Sequence, residues 1–364
     1  MNIKRATFSP EKGLFVVTIL LSIIGLLFVF EASVAEAFAS FGNQFYFVRQ
    51  QAVWLVIGVL SMFIGVFVPA LWWKKISPVL YVVGILLLIT VFVPGLSHPI
   101  NGARRWIFIK NFSFQPVEFI KFGMITFFAA WMEKHQKLGP FLFLTSVPVA
   151  LLILQPDLGS ALIVLSIAVA LYFLAGAPYK TFLAILAIGL IALVGLIVIS
   201  PYRFRRLTTF FNPDADPLGA SFHIRQITLA LGNGGIVGEG IGKSRQKFSY
   251  LPEASTDAIF AIVAEEVGFL GSIALFFLFF LYIHFGYRIV RKTEPRSYQH
   301  LLAAGILVWI GMQMLLNLSA IVALVPLTGI PLPFFSYGGT ALVMVLFVTS
   351  ILIGIGRQAN AKEK

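Results

Sequence analysis

The sequence predicts an all-α, polytopic membrane protein with about ten transmembrane helices, and three observations carry that prediction. Of its 364 residues, 59% are hydrophobic and only 12% charged, where a soluble domain averages about 25% charged. The apolar residues come in runs of roughly twenty, the number needed to cross a bilayer at ~1.5 Å of rise per residue. Lysine and arginine gather in short clusters between those runs, as they do at membrane-span ends.

Taken in order, the apolar runs and their Gly/Pro breakers place spans at about 14–33, 50–70, 76–94, 114–133, 140–155, 158–176, 181–200, 257–287, 300–325 and 338–356. Lys4, Arg5 and Lys12 precede the first run without a small-residue cleavage site, so the first span is expected to be retained and not removed as a signal peptide. An N-terminus on the cytoplasmic side puts Lys74/Lys75, Lys134/Lys137, Lys180, Arg288/Arg291/Lys292/Arg296 and Arg357/Lys362/Lys364 in the cytoplasm. An even number of spans then returns the C-terminus to that side too. Residues 1–364 read as one integral membrane domain with a large extracytoplasmic loop at about 201–256.

Composition removes several function classes. No cysteine is present and the five histidines show no ligand spacing, which excludes disulfides, thiolate chemistry and a zinc site. The net charge of +12 sits between membrane spans with no nucleic-acid-binding motif around it. Its expected counterpart is a lipid headgroup or diphosphate and not nucleic acid.

Two outward connections break the charge rule. Arg104, Arg105 and Lys110 lie between spans three and four, and Arg203 through Lys247 between spans seven and eight. Long translocated segments tolerate such charge, but an outward anion site uses it. Within the second connection, Ile224 to Leu231 reads as a short helix at the outer interface. Gly232, Gly234, Gly235, Gly238, Gly240 and Gly242 follow it, either as a flexible return or as backbone able to approach an anion.

Ionisable groups at membrane depth cost ~2.5–3.5 kcal/mol on insertion scales, so each is a candidate by default. Glu118 and Lys121 are spaced to pair on one helix face, as a structural ion pair or as part of a site. Asp157, in Gln155-Pro156-Asp157-Leu158-Gly159, either turns a helical hairpin or works in a cavity. Glu265 and Glu266 lie deeper, and at least one must face the bundle interior with a polar partner or a proton. Asp257 stands at the outward start of span eight behind Leu251-Pro252-Glu253-Ala254-Ser255-Thr256, where it either caps the helix or serves chemistry beside the basic loop. The last outward connection, Pro326 to Gly339, packs proline and glycine around Phe334-Phe335-Ser336-Tyr337 and predicts non-helical backbone walling a cavity.

At five segments the chain resembles the SEDS family (FtsW/RodA/SpoVE) of shape, elongation, division and sporulation proteins. They are Asn101-Gly102-Ala103-Arg104-Arg105-Trp106-Ile107, Phe114-Gln115-Pro116-Val117-Glu118, Gln155-Pro156-Asp157-Leu158-Gly159-Ser160-Ala161, Leu251-Pro252-Glu253-Ala254-Ser255-Thr256-Asp257 and Gly329-Ile330-Pro331-Leu332-Pro333-Phe334-Phe335-Ser336-Tyr337-Gly338-Gly339-Thr340. Arg206-Leu207-Thr208-Thr209-Phe210, Asp216-Pro217-Leu218-Gly219 and Ser244 through Glu253 resemble the FtsW/SpoVE branch more than the RodA branch. The family commonly has Ser at the position of Val117 and His at that of Ser255.

The resemblance implies a peptidoglycan glycosyltransferase of the bacterial plasma membrane, serving cell division or cell shape. It would polymerise lipid II, the undecaprenyl diphosphate-linked glycan, into β-1,4 strands on the outer face. Its implied partners are a class B penicillin-binding protein, which supplies the transpeptidase, and other divisome or elongasome proteins. The implied catalytic acid is Asp257, and the implied substrate-binding residues are Arg49, Arg105, Glu118, Lys121, Asp157 and Ser336. Asp257 would act as general base, with the arginines and Lys121 on the diphosphate side. An alternative sets Asp257 to hold a divalent cation, Mg²⁺ or Mn²⁺, but no carboxylate cluster typical of such sites is visible in the sequence. The rival from another class is a flippase or transporter of the same lipid-linked precursor.

Overall fold

The computed structural model describes residues 9–99, 102–109, 112–212, 221–248 and 251–362. Lys4, Arg5, Asn101, Lys110, Asp216 through Gly219, Ser249, Tyr250 and Lys364 lie outside the described residues.

The chain is a multi-pass helical membrane protein. Helices α1 (Pro10–Phe41), α2 (Tyr46–Phe67), α3 (Ala70–Thr90), α4 (Pro116–Met132), α5 (Leu138–Leu154), α6 (Leu158–Leu174) and α7 (Tyr179–Ile199) occupy the first seven expected spans. Helices α8 (Pro201–Phe211) and α9 (Phe222–Gly234) lie in the long connection, and α10 (Ile259–Val290), α11 (Tyr298–Ile321) and α12 (Gly339–Lys362) complete the bundle. Seven of these helices are long and apolar enough to cross a membrane. α4, α5 and α6 have 17 residues each, at the short end of what spans.

The two ends of the bundle differ. One face carries the starts of α1 and α11 and the ends of α2, α10 and α12. There Lys74 pairs with Glu133, and Lys292 reaches Glu11 at 3.1 Å and Asn360 at 2.7 Å. The opposite face carries Arg105, Asp157, Asp257 and Ser336, and is called here the Asp257 face. A two-stranded hairpin, β1 (Ile107–Ile109) with β2 (Phe112–Phe114), lies on it ahead of α4. The hairpin is tied down where Thr340 donates to the Ser113 carbonyl at 3.1 Å.

Small residues set the packing, as expected where backbones must approach in lipid. A Cβ on Gly65 of α2 would meet Ser350 of α12, and one on Gly25 of α1 would meet the Phe334 carbonyl. The second contact holds the Pro326–Gly339 connection at membrane depth. Phe334 and Phe335 are buried there against Tyr282, Phe28 and Phe279, so this non-helical backbone is enclosed by protein.

Sequence periodicity gives no warning that α10 is broken. Gly268 has φ 67° and ψ −167°, and the helix is interrupted there. The glycine-rich return fills the gap. Glu239 and Gly240 donate to the Glu265 and Glu266 carbonyls at 3.0 Å, while Phe269 and Leu270 donate to Gly235 and Ile236 at 3.0 and 3.1 Å. The glycines are required by this stitching, since a Cβ on Gly234 or Gly238 would strike the Ala264 or Glu266 carbonyl. The backbone donors of Glu239 and Gly240 are therefore spent on α10 and not offered to an anion, and the return is a fitted element of the fold.

Candidate functional site

Asp257 lies in a turn built by Glu253. The Glu253 carbonyl accepts from Thr256 and Ala258 at 3.1 Å each, with Glu253 itself in the left-handed region at φ 52°. A non-glycine residue there is uncommon and persists where its surroundings hold it. The Asp257 carboxylate makes no cap on α10, whose N-cap is Ala258 without a side-chain bond. The capping explanation for this acid is thereby removed.

Three residues fix the turn from α11 and the Pro326–Gly339 connection. Asn317 Nδ2 donates to the Asp257 and Ile330 carbonyls at 2.8 and 2.7 Å. Ser336 Oγ donates to the Thr256 carbonyl at 2.6 Å and accepts from Leu332 N–H at 2.7 Å. Tyr337 N–H donates to the Ser255 carbonyl at 2.8 Å. Gln51 of α2 closes the frame, donating to the Ser336 carbonyl and accepting from Gly338 N–H at 3.2 Å each. Ser336 is buried and both its bonds are internal, so in this arrangement it positions the turn bearing Asp257.

Burial, and then the nearby Glu253 charge, push the Asp257 carboxyl up to about 7, while Arg105 and Arg206 act in the opposite direction. A group titrating there is available as a base at neutral pH. Arg105 Nε stands 3.8 Å from Asp157 Oδ2, and Arg105 also donates to the Pro156 carbonyl. Asp157 in turn caps α6, accepting from Ser160 N at 3.1 Å and Ser160 Oγ at 2.8 Å. It ends a helix and orients a guanidinium together.

Glu118 and Lys121 form a buried pair at 2.7 Å, with side chains 2% and 1% exposed. Lys121 also donates to Gln313 at 3.0 Å and lies 4.6 Å from the Trp309 ring centre. With its ammonium satisfied by Glu118, Gln313 and an indole face, this pair bridges α4 to α11. Arg49 is exposed at the start of α2, its guanidinium 5.9 Å from the Phe45 ring. Among the described residues it pairs with no carboxylate, and the structure does not join it to the Asp257 group.

Sequence reasoning passed over Asn317 and Gln51, and it noted Arg206 only as part of the outward basic connection. Arg206 donates to the Leu327 carbonyl at 3.1 Å and packs 4.8 Å from the Tyr202 ring. A polar residue in an apolar run was the available signal for Asn317 and Gln51. Among the described residues no group of three or more His, Cys, Asp or Glu is arranged to hold a metal ion, so the side chains around Asp257 do not form a three-ligand cation site.

A carboxylate outside the spanning helices, within the charge influence of Arg105 and Arg206 and framed by two segments of non-helical backbone, marks one face of a multi-pass membrane protein. The family model described as "Cell cycle protein" (FtsW/RodA/SpoVE) matches residues 11–361. The chain belongs to that family. It is 39% identical over 360 residues to stage V sporulation protein E of Bacillus subtilis (strain 168), covering 97% of this chain and 98% of that protein. It is 36% identical to the probable peptidoglycan glycosyltransferase FtsW of Geobacter sp. (strain M18), covering 93% and 94%. Among solved structures, a chain from work on the coordination of polymerization and crosslinking by a peptidoglycan synthase complex matches with TM-score 0.77 and 28% identity, over 95% of this chain and 97% of that one. The rod shape determining protein RodA of Thermus thermophilus matches with TM-score 0.70 and 27% identity, covering 95% and 96%.

Proposed function

We propose that this protein is a peptidoglycan glycosyltransferase that polymerises lipid II into β-1,4 glycan strands on the outer face of the plasma membrane. In this reading its termini are cytoplasmic and it works beside a class B penicillin-binding protein. The observation that carries the reading is the placement of Asp257: its turn is fixed by Asn317 and Ser336, its carboxylate does not cap α10, and Arg105 and Arg206 act on its charge, in a chain whose relatives are named probable glycosyltransferases of this kind. The similarity to a chain of a peptidoglycan synthase complex supports the transpeptidase partner.

The reaction joins an acceptor sugar hydroxyl to the anomeric carbon of a donor carrying a lipid diphosphate. The hydroxyl oxygen forms the new bond to C1, the C1–O bond to the diphosphate breaks, and the electron pair leaves with the phosphate. Asp257 takes the hydroxyl proton, and an α-linked donor is inverted to a β product. General base catalysis of this type contributes ~10²–10⁴-fold. Arg105 and Arg206 present guanidinium groups to the departing diphosphate, where charge develops. The buried Glu118–Lys121 pair joins α4 to α11, the helix whose Asn317 holds the Asp257 turn, Ser336 holds the same turn, and Arg49 meets the lipid-linked substrate at the rim of the same face. The single domain with its extracytoplasmic loop at about 201–256 is part of this proposal.

Purified protein, lipid II and the cognate transpeptidase, resolved on a gel, test it. Glycan strands are expected from the natural chain and none from Asp257→Asn with fold and partner binding retained. Strands from that variant refute the assignment of the base. Translocation of lipid II without polymer supports the flippase instead.

A further inference from the structure

On the face opposite Asp257, α1, α2 and α12 enclose a groove of about 1050 Å³. Its walls are Phe15 and Val16 of α1, Val59, Met62, Phe63, Val66 and Phe67 of α2 and Ile353 of α12, and its polar residues gather at the helix ends: Ser9, Glu11, Lys12, Arg357 and Asn360. We infer that this groove is a binding site for an anionic phospholipid, with the acyl chain between α1 and α2 and the headgroup phosphate on Lys12 and Arg357.

Length selects a lipid over a protein helix. The lining residues run over 9–16 on α1, 59–67 on α2 and 353–361 on α12, about 11–12 Å of each helix axis. That is less than half of the ~30 Å hydrocarbon thickness. A partner's transmembrane helix needs a seam through both leaflets, whereas an acyl chain occupies one.

Charge selects an anionic headgroup. Glu11 is already neutralised by Lys292 at 3.1 Å, and Lys292 also binds Asn360 at 2.7 Å. Lys12 and Arg357 are both exposed, and among the described residues neither forms an ion pair. The Arg357 guanidinium lies 5.6 Å from the Phe67 ring centre, over the groove wall. Two uncompensated cations above an apolar slot match a phosphodiester with its acyl tail, and basic pockets between membrane helices are used in this way. The inference is independent of the glycosyltransferase reading, because none of these residues belongs to the Asp257 face.

The test is native mass spectrometry of the full chain released from micelles containing equal phosphatidylglycerol and phosphatidylethanolamine. Retention of phosphatidylglycerol over phosphatidylethanolamine is expected. The K12Q/R357Q double variant should hold phosphatidylglycerol roughly tenfold to thirtyfold more weakly. Val16→Trp, which fills the slot and leaves both cations, should displace both lipids. Equal retention of the two lipids by the natural chain overturns the inference. So does unchanged phosphatidylglycerol binding in a double variant whose thermal unfolding matches the natural chain, or a second copy of the chain bound in place of lipid.

Discussion

Asn317 of α11 holds the main chain of Asp257 through a 2.8 Å bond from its amide nitrogen, and a 2.7 Å bond from the same nitrogen holds Ile330. One side chain therefore registers the turn carrying the acid against the non-helical connection facing it. Asn317→Asp keeps the shape but replaces the donor with an acceptor facing two carbonyls. Each carbonyl left unpaired costs ~1–3 kcal/mol, and a small misplacement of a catalytic group costs up to ~10²-fold in rate. Strand formation by Asn317→Asp should fall about tenfold to a hundredfold, mainly in kcat. Full activity would show that the turn keeps its geometry without this bond.

The acidity of Asp257 sets a pH dependence with a definite sign. Its folded-state value of about 7 lies above the ordinary 3.8 because burial and Glu253 disfavour the anion. As base it must be ionised, so activity should rise with pH through about 7. Stability runs the other way. Between 3.8 and about 7 the folded chain binds the proton that the unfolded chain has released, so this group's contribution declines as pH rises across that window. Asp257→Asn should therefore lose activity at every pH and unfold at a higher temperature than the natural chain at pH 8, with the difference shrinking towards pH 5. A variant less stable than the natural chain at pH 8 would contradict the burial argument.

Arg105 acts through two geometric features, its contact with Asp157 at 3.8 Å and its bond to the Pro156 carbonyl. A guanidinium can keep such contacts and still face a phosphate, whereas an ammonium supplies a point charge without the fork. Arg105→Ala should cost about 10²–10³-fold in strand formation and Arg105→Lys distinctly less. Equal losses would make Arg105 a structural prop for the α5–α6 turn.

Much of the fold was legible because length and apolarity suffice to locate helices that cross a bilayer. All ten long helices fall on the expected runs, and the positive clusters mark a shared face. Glu118 and Lys121 were readable as a pair from spacing alone, and Asp157 as a turn former from its neighbours. Backbone breaks at membrane depth were less legible. The last connection announced itself by three prolines, but the interruption of α10 rests on Gly268 alone, and its repair comes from glycines about thirty residues upstream. No local pattern encodes a hydrogen bond between segments so far apart. The same limit hid Asn317 and Gln51, whose partners are main-chain atoms, and the two internal bonds of Ser336.

The stitched break carries a charge cluster that gives the last prediction. Lys247, with its side chain 3% exposed, bonds Glu31 of α1 at 2.9 Å and Glu266 of α10 at 3.1 Å. Ser244 and the Gln246 N–H satisfy Glu265, and Asn233 donates to it at 3.3 Å. Lys247 thus clamps the segment leading to Asp257 onto both helices, and breaking a buried pair from one side costs ~3–5 kcal/mol because the remaining charge is stranded. Lys247→Met should lower the unfolding temperature sharply and reduce strand formation. Glu266→Gln alone relieves one carboxylate and should be milder. Adding it to Lys247→Met should restore part of the stability, since the double variant strands one fewer charge. A double-mutant cycle on thermal unfolding reads the coupling directly. Additive losses would mean that Lys247 and Glu266 stand side by side without holding the loop to the break in α10.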